Sequence, residues 1–168
     1  LTARPAADKT HLEDVVNKVF DAVKYAGAKA VMRFTKEVDK ADMRSLRVRE
    51  SELTNVAIAL TPELKAAIEI AKNNIEKFHA AQENKEQIIE TTPGVSCWRD
   101  SRAIERVGIY IPGGTAPLFS TVLMLGIPAK LAGCKQIILC TPPDRDGNIH
   151  PAILFTAALI GITEIFCA

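Results

Sequence analysis

The chain has 168 residues, with 21 Lys and Arg against 20 Asp and Glu, for a formal net charge of +1. Nucleic-acid binding is not expected, because it needs a basic surface that this balance does not supply. The longest uncharged run, residues 107–129, has the length of a membrane span. Its three prolines and four glycines favour a soluble core instead, so no membrane association is expected.

The chain begins with the pattern of an amphipathic helix. Residues 11–26 place apolar side chains on one stripe, with Thr10 as the N-cap and Gly27 as the terminator. A second helix is expected over residues 28–38, with Val31 and Phe34 on one face. Such helices must pack on something, because burying each large apolar side chain contributes ~1.5–3 kcal/mol.

A third and a fourth helix follow a short alternating segment. Residues 46–48 are expected as a short strand and residues 51–60 as a helix. Thr61 and Pro62 start the next helix, as N-cap and first helical residue, and it extends to about residue 83. The side chains predicted to form its buried face are Leu64, Ala67, Ile68, Ala71, Ile75 and Phe78.

The middle of the chain predicts a polar loop followed by a hairpin. Residues 84–92 are polar and are expected as a loop. Residues 94–99 and 103–107 are expected as two strands around the turn Asp100-Ser101. On this hairpin, Trp98 is expected as a half-buried strand aromatic.

The second half of the chain has the pattern β-α-β-α-β. Continuous apolar runs, broken by glycine and proline, are typical of a parallel sheet covered on both faces. Pro128 is expected to kink or split the first of the two helices. The predicted elements are a strand at 107–111, a helix at 117–132, a strand at 136–141, a turn at 142–148, a helix from Pro151 ending before Gly161, and a strand at 163–167.

Residues able to carry chemistry are scattered. No pair among the four cysteines has metal-binding spacing, so we expect reduced, buried thiols in a cytoplasmic protein. Asp144, Asp146 and Asn148 alternate as in a calcium loop, but the acidic residue that should close the loop is missing. They are interpreted as solvated turn residues. Neither a catalytic residue nor a metal ligand is predicted.

The turn that ends the strand at 107–111 is the strongest candidate for a site. Pro112, Gly113 and Gly114 join this strand to a helix, and glycine allows a backbone to approach a ligand closely. A helix N-terminus at the carboxyl end of a parallel strand suits a phosphate or carboxylate. The pattern is equally compatible with a tight structural turn. Tyr110 is either a ligand contact or an ordinary strand aromatic.

Longer runs of sequence resemble a known family. The runs at 107–125, 127–135 and 137–143, together with upstream segments 73–82 and 92–97, closely resemble histidinol dehydrogenases. The resemblance implies an α/β fold like that of aldehyde dehydrogenases. It also implies oxidation of L-histidinol through histidinal to L-histidine with two NAD⁺, one zinc ion that holds the substrate, and a homodimer.

The resemblance assigns site residues to this chain unevenly. Tyr110 matches the family's NAD-contacting tyrosine, and Pro112, Gly113 and Gly114 would line the cofactor cleft. The family's zinc ligands and catalytic Glu/His pair lie beyond the last residue of this chain. Family members are more than twice as long, so the chain is interpreted as an N-terminal fragment without turnover of its own.

The fold class expected is therefore α/β, with a helix-rich first region before the β-α-β-α-β part of a nucleotide-binding domain. Residues 1–107 would be part of the family's first domain, and residues 108–168 a truncated Rossmann-like NAD-binding domain. Two other functions stay open from the sequence. One is a related dehydrogenase for another amino or hydroxy alcohol, and the other is a non-catalytic interaction module.

Overall fold

The computed structural model describes residues 10–83, 87–114 and 116–168. It confirms the α/β class, with a helical first half and a parallel sheet in the second half. The helices are α1 (Thr10–Ala26), α2 (Ala28–Val38), α3 (Glu50–Asn55), α4 (Pro62–Ala80), α5 (Phe119–Leu131) and α6 (Pro151–Leu159). The strands are β1 (Ile89–Thr92), β2 (Val95–Cys97), β3 (Arg106–Tyr110), β4 (Gln136–Thr141) and β5 (Glu164–Cys167).

The four helices of the first half lie where their periodicity placed them. Helices α1 and α2 flank Gly27, which has a positive φ of 55°. The predicted cap by the Thr10 side chain lies outside the described side chains. The expected helix at 51–60 is α3 followed by one 3-10 turn at Val56–Ala59. At the start of α4, the backbone N–H of Leu64 donates to Thr61 Oγ1 over 3.3 Å, which confirms the N-cap.

A three-stranded parallel sheet, in the order β3-β4-β5, organises the second half. Ile109, Leu139 and Ile165 lie side by side across the three strands and are almost completely buried. Helix α5 packs against both α4 and α6. The core therefore combines the sheet with helices from both halves of the chain. Its buried members are Val56, Ile109, Ile111, Val122, Leu123, Ile127, Leu139, Ile149, Ile153, Leu154, Ala157, Ile160, Ile162, Ile165 and Cys167.

The segment at residues 46–48, predicted as a short strand, forms only an isolated β-bridge, and it covers the β5 edge of the sheet. The N–H of Val48 donates to the Ile165 carbonyl over 3.0 Å, and the N–H of Cys167 donates to the Leu46 carbonyl over 2.7 Å. Arg47 and Phe166 form an antiparallel bridge between them. The proposed domain boundary at 107/108 falls inside β3, and the division into two domains stays a prediction.

A hairpin is present, but it lies earlier in the chain than predicted. Its strands are β1 and β2, so residues 89–92 are a strand rather than a loop, and residues 103 and 104 lie outside the strands. Gly94 explains the shift, because its φ of 82° makes the turn there. The Gly94 N–H also donates to Glu90 Oε1 over 2.9 Å. Trp98 follows β2 and is 58% exposed, not half-buried within a strand.

The expected buried face of α4 was wrong in part, and only one of the two expected effects of Pro128 is contradicted. Ile68 is fully buried at 0% exposure, but Phe78 on the same predicted face is 65% exposed, and Ala67 is exposed as well. Periodicity gives a face but not the length over which a neighbour covers it. Pro128 does not split α5, which is continuous through it. Because Pro128 has no N–H, it removes only the helical hydrogen bond to the Met124 carbonyl. Met124 is 51% exposed.

The long uncharged run belongs to this folded core. Within the described ranges, no helix combines the length and the apolar character that a membrane crossing requires.

Candidate functional site

The last residues of β3, β4 and β5 lie at one edge of the sheet. Tyr110 pairs in register with Cys140, and Thr141 pairs with Cys167. The ladder continues one residue past β3, where the Ile111 N–H donates to the Cys140 carbonyl over 2.9 Å. In open parallel sheets ligands bind outside the carboxyl ends of the strands, so this edge is the candidate site.

The Pro112–Gly114 turn packs directly on the residue that follows β4. A Cβ atom placed on Gly113 would lie 2.6 Å from Pro142 Cγ, well inside ordinary carbon contact distance. Gly114 has a φ of 152°, a conformation that other residues rarely adopt. Position 113 thus requires glycine for space and position 114 for conformation. The contact with Pro142 and the φ of 152° account for the two glycines without excluding a ligand.

Two helices begin at this edge, and they differ in how their first N–H groups are satisfied. At α6, the Ala152 N–H donates to Nδ1 of His150 over 3.1 Å. At α5, Leu118 occupies the N-cap position, and no side-chain cap is present among the described residues. The N–H groups at the start of α5 are therefore the ones open to an anionic group.

Tyr110 is the last residue of β3. Its side chain is 56% exposed, so the ring is accessible to a ligand. Partial burial raises the pKa of Tyr110, and the negative charge of Asp39 and the neighbouring Cys140 raise it further. The phenol therefore stays protonated at neutral pH. Asp39 comes from the C-terminal end of α2, a distant contribution that no sequence pattern indicated.

The two thiols at this edge, Cys140 and Cys167, both have raised pKa values. Burial raises the pKa of Cys140. Burial, followed by the charges of Asp144, Asp39 and Glu52, raises the pKa of Cys167 to about 12. A thiol is nucleophilic only as the thiolate, so neither is suited to covalent chemistry at neutral pH. All four cysteines are free, and the expectation of buried thiols fails for Cys97, which is exposed.

Thr141 was overlooked by the sequence analysis. Its side chain is 1% exposed, and its Oγ1 is the one buried side-chain oxygen or nitrogen without a hydrogen-bond partner in the described parts of the chain. A signal was present in the sequence, because Thr141 is a polar residue that ends the apolar strand Gln136–Thr141. The hydroxyl lies one residue before Pro142, on which the glycine turn packs.

The chain offers different support for the two groups that the resemblance implies. For a dinucleotide, the glycine turn, the start of α5 and the unpartnered Thr141 hydroxyl are suitable elements at one edge. For zinc, residues 10–83, 87–114 and 116–168 contain no cluster of three or more His, Cys, Asp or Glu able to hold a metal ion. These residues do not fit zinc.

The loop at 142–148 confirms the interpretation of its acidic residues. Asp144 Oδ1 accepts the N–H groups of Asp146 and Asn148 over 2.9 and 2.8 Å. The carboxylate therefore shapes its own turn.

A separate surface depression lies beside the β1–β2 hairpin, and none of its lining residues belongs to the strand-end loops. That depression is lined by Gln87, Ile89, Cys97, Trp98, Arg99, Asp100 and Ser101.

Comparison with known proteins decides the family. The family model described as Histidinol dehydrogenase matches residues 2–168. The chain belongs to the histidinol dehydrogenase family. The histidinol dehydrogenase of Bacteroides fragilis (strain ATCC 25285) is 52% identical over 165 residues, which cover 98% of this chain and 39% of that protein. That of Bacteroides thetaiotaomicron is 50% identical over 168 residues, or 100% of this chain and 39% of that protein.

A solved structure agrees with the fold described above. The crystal structure of histidinol dehydrogenase from Elizabethkingia anophelis matches with a TM-score of 0.91 and 55% identity. The match covers 99% of this chain and 38% of that one. The chain thus spans less than two fifths of the length of these relatives, while almost all of its own fold is shared with the Elizabethkingia anophelis structure.

Proposed function

We propose that this chain forms part of a histidinol dehydrogenase that oxidises L-histidinol through L-histidinal to L-histidine with two NAD⁺. The observation that carries the proposal is the family match over residues 2–168. The geometry is compatible with it, because the Pro112–Gly114 turn lies at the carboxyl ends of parallel strands, where dinucleotides bind. Bound NAD⁺ would accept the hydride that leaves the substrate.

In this proposal the residues of the chain bind and orient the cofactor. Tyr110 offers a protonated phenol and an accessible ring at the end of β3. Pro112, Gly113 and Gly114 line the cleft with backbone rather than side chains, which allows close approach. Zinc ligation and proton transfer are assigned to residues of the family's longer chain, because the described residues present no suitable cluster.

The 168-residue chain alone is proposed to be inactive. It spans 39% of the Bacteroides fragilis enzyme, and its strand-end thiols are protonated at neutral pH. The test measures NADH formation from histidinol and NAD⁺, with the full-length Bacteroides fragilis enzyme as positive control, alongside elemental analysis for zinc. We expect no NADH above background and no stoichiometric zinc. NADH formation above background would refute the inactivity.

Affinity for the cofactor is proposed to be weak in this chain, since Tyr110 and the glycine turn supply only part of a dinucleotide site. Calorimetric titration with NAD⁺ tests this. We expect a dissociation constant above the micromolar range, and micromolar binding would contradict the proposal.

The full-length protein is further proposed to be a cytoplasmic homodimer. Family resemblance supports the dimer, and four free cysteines suit a reducing compartment. Light scattering of the full-length protein tests the dimer, and a monomer at micromolar concentration would contradict it. Cell fractionation tests the location, and recovery outside the cytoplasmic fraction would contradict it.

A further inference from the structure

Thr141 has a buried hydroxyl for which the described chain provides no hydrogen-bond partner. An unsatisfied hydroxyl in a protein interior lowers stability, and an apolar group of the same shape removes that cost. Valine matches threonine in shape and is favoured in strands. Packing alone would therefore select valine at this position, and the presence of threonine requires another explanation.

A second buried threonine shows the ordinary arrangement. Thr156 in α6 is 0% exposed, and its Oγ1 donates to the Ala152 carbonyl over 2.7 Å. The two residues thus share type and burial but differ in whether the hydroxyl is satisfied. They also differ in place, since Thr156 lies within a helix and Thr141 ends β4. This makes Thr156 a matched control for the Thr141 hydroxyl.

The position of Thr141 points to the cofactor. Thr141 lies beside Ile111, the residue that follows β3. The Ile111 N–H donates to the carbonyl of Cys140, the residue before Thr141, over 2.9 Å. The next residue, Pro142, is the contact of Gly113 in the glycine turn. The residue with the unsatisfied hydroxyl therefore directly precedes the residue on which the glycine turn packs, at the ligand-binding edge of the sheet.

We propose that Thr141 is a dinucleotide-binding residue whose hydroxyl hydrogen-bonds a ribose or phosphate oxygen of NAD⁺. This inference rests on the proposed function. Because Thr141 is 1% exposed, the contact requires covering atoms to move as the cofactor binds, and the movement is assigned to the Pro112–Gly114 turn, which packs on the next residue, Pro142. Two successive glycines give the turn the backbone freedom for that movement. The hydroxyl is thus unfavourable for folding and favourable for binding.

The experiment compares the 168-residue chain with Thr141→Val, Thr141→Ser and Thr156→Val. Thermal unfolding without ligand gives the effect on stability. Chemical-shift titration with NAD⁺ into the millimolar range gives the dissociation constant even when binding is weak. We expect Thr141→Val to keep or raise the Tm and to weaken NAD⁺ binding about 2- to 10-fold, the range of one hydrogen bond. We expect Thr141→Ser to bind like the wild type, and Thr156→Val to lower the Tm without changing binding.

The outcomes separate this inference from the proposed function. If the wild-type chain shows no NAD⁺-dependent shifts at millimolar concentration, the cofactor role of the glycine turn fails, and this inference fails with it. If the wild type binds and Thr141→Val binds equally well, only this inference is overturned. A loss of Tm in Thr141→Val as large as that in Thr156→Val overturns it too, because the hydroxyl would then have a partner within the protein.

Discussion

Replacing Gly113 by alanine tests the packing that holds the glycine turn on β4. The new Cβ would lie 2.6 Å from Pro142 Cγ and 3.7 and 3.8 Å from two other atoms of the same ring. Carbon atoms prefer separations of about 3.5–4.0 Å, so the turn or the ring must move by about 1 Å. A proline ring has no rotamer by which to escape, and the movement therefore falls on the backbone.

The expected cost follows from this overlap. Overpacking of this kind costs about 1–3 kcal/mol of unfolding free energy. Replacing glycine by alanine also restricts the unfolded chain, which offsets about 0.4–1 kcal/mol at a position with ordinary φ. Gly113 is such a position, since it is not among the residues with positive φ. We expect a net destabilisation of about 1–2 kcal/mol.

Urea unfolding monitored by circular dichroism measures the change. Gly108→Ala in β3 is the matched control, because a Cβ there would meet nothing within 4 Å. We expect this control to be neutral or stabilising by up to about 1 kcal/mol. Combining Gly113→Ala with Pro142→Ala should recover most of the loss, because the contact is then absent. The reasoning is refuted if Gly113→Ala is as stable as Gly108→Ala, or if the double variant recovers nothing.

Two further predictions concern the core and the strand-end thiol. Ile68→Ala should lower the free energy of unfolding in urea by about 2–5 kcal/mol, and Phe78→Ala by less than about 0.5 kcal/mol, because only Ile68 is buried. Equal losses in the two variants would contradict this. The pKa of Cys167 is raised from its ordinary value of 9.0 to about 12, so its thiol stays protonated when folded and ionises when unfolded. The free energy of unfolding should therefore fall above pH 9 by up to about 1.4 kcal/mol per pH unit. Cys167→Ala should show a shallower fall over the same pH range. An identical slope in both proteins would exclude Cys167 ionisation as the cause.

The sequence was informative wherever a local pattern determines the structure. The strand at 136–141 was predicted to the residue, and the helix from Pro151 begins where its proline indicated. Both depend on hydrophobic runs and on residues with restricted backbones, which act within a few positions. The position of the glycine turn at a strand end was predictable for the same reason.

Local patterns failed where several features competed. The predicted hairpin turn was Asp100-Ser101, but the Pro93-Gly94 turn forms instead, because glycine adopts the positive φ that the turn requires. Phe78 fits the periodic stripe of α4, yet it is largely exposed. The extent to which one helix covers another depends on where both lie in space, and periodicity does not carry that information.

By itself, the sequence determined the α/β class, the family and the candidate turn Pro112–Gly114. These follow from short-range patterns and from long runs of similar sequence. Only the tertiary structure showed that Asp39 acts on Tyr110, that Pro142 supports Gly113, and that the Thr141 hydroxyl is buried without a partner. Each of these depends on how separate elements lie in space, since folding sets Asp39 of the α2 end near Tyr110 and the residue after β4 against the turn after β3.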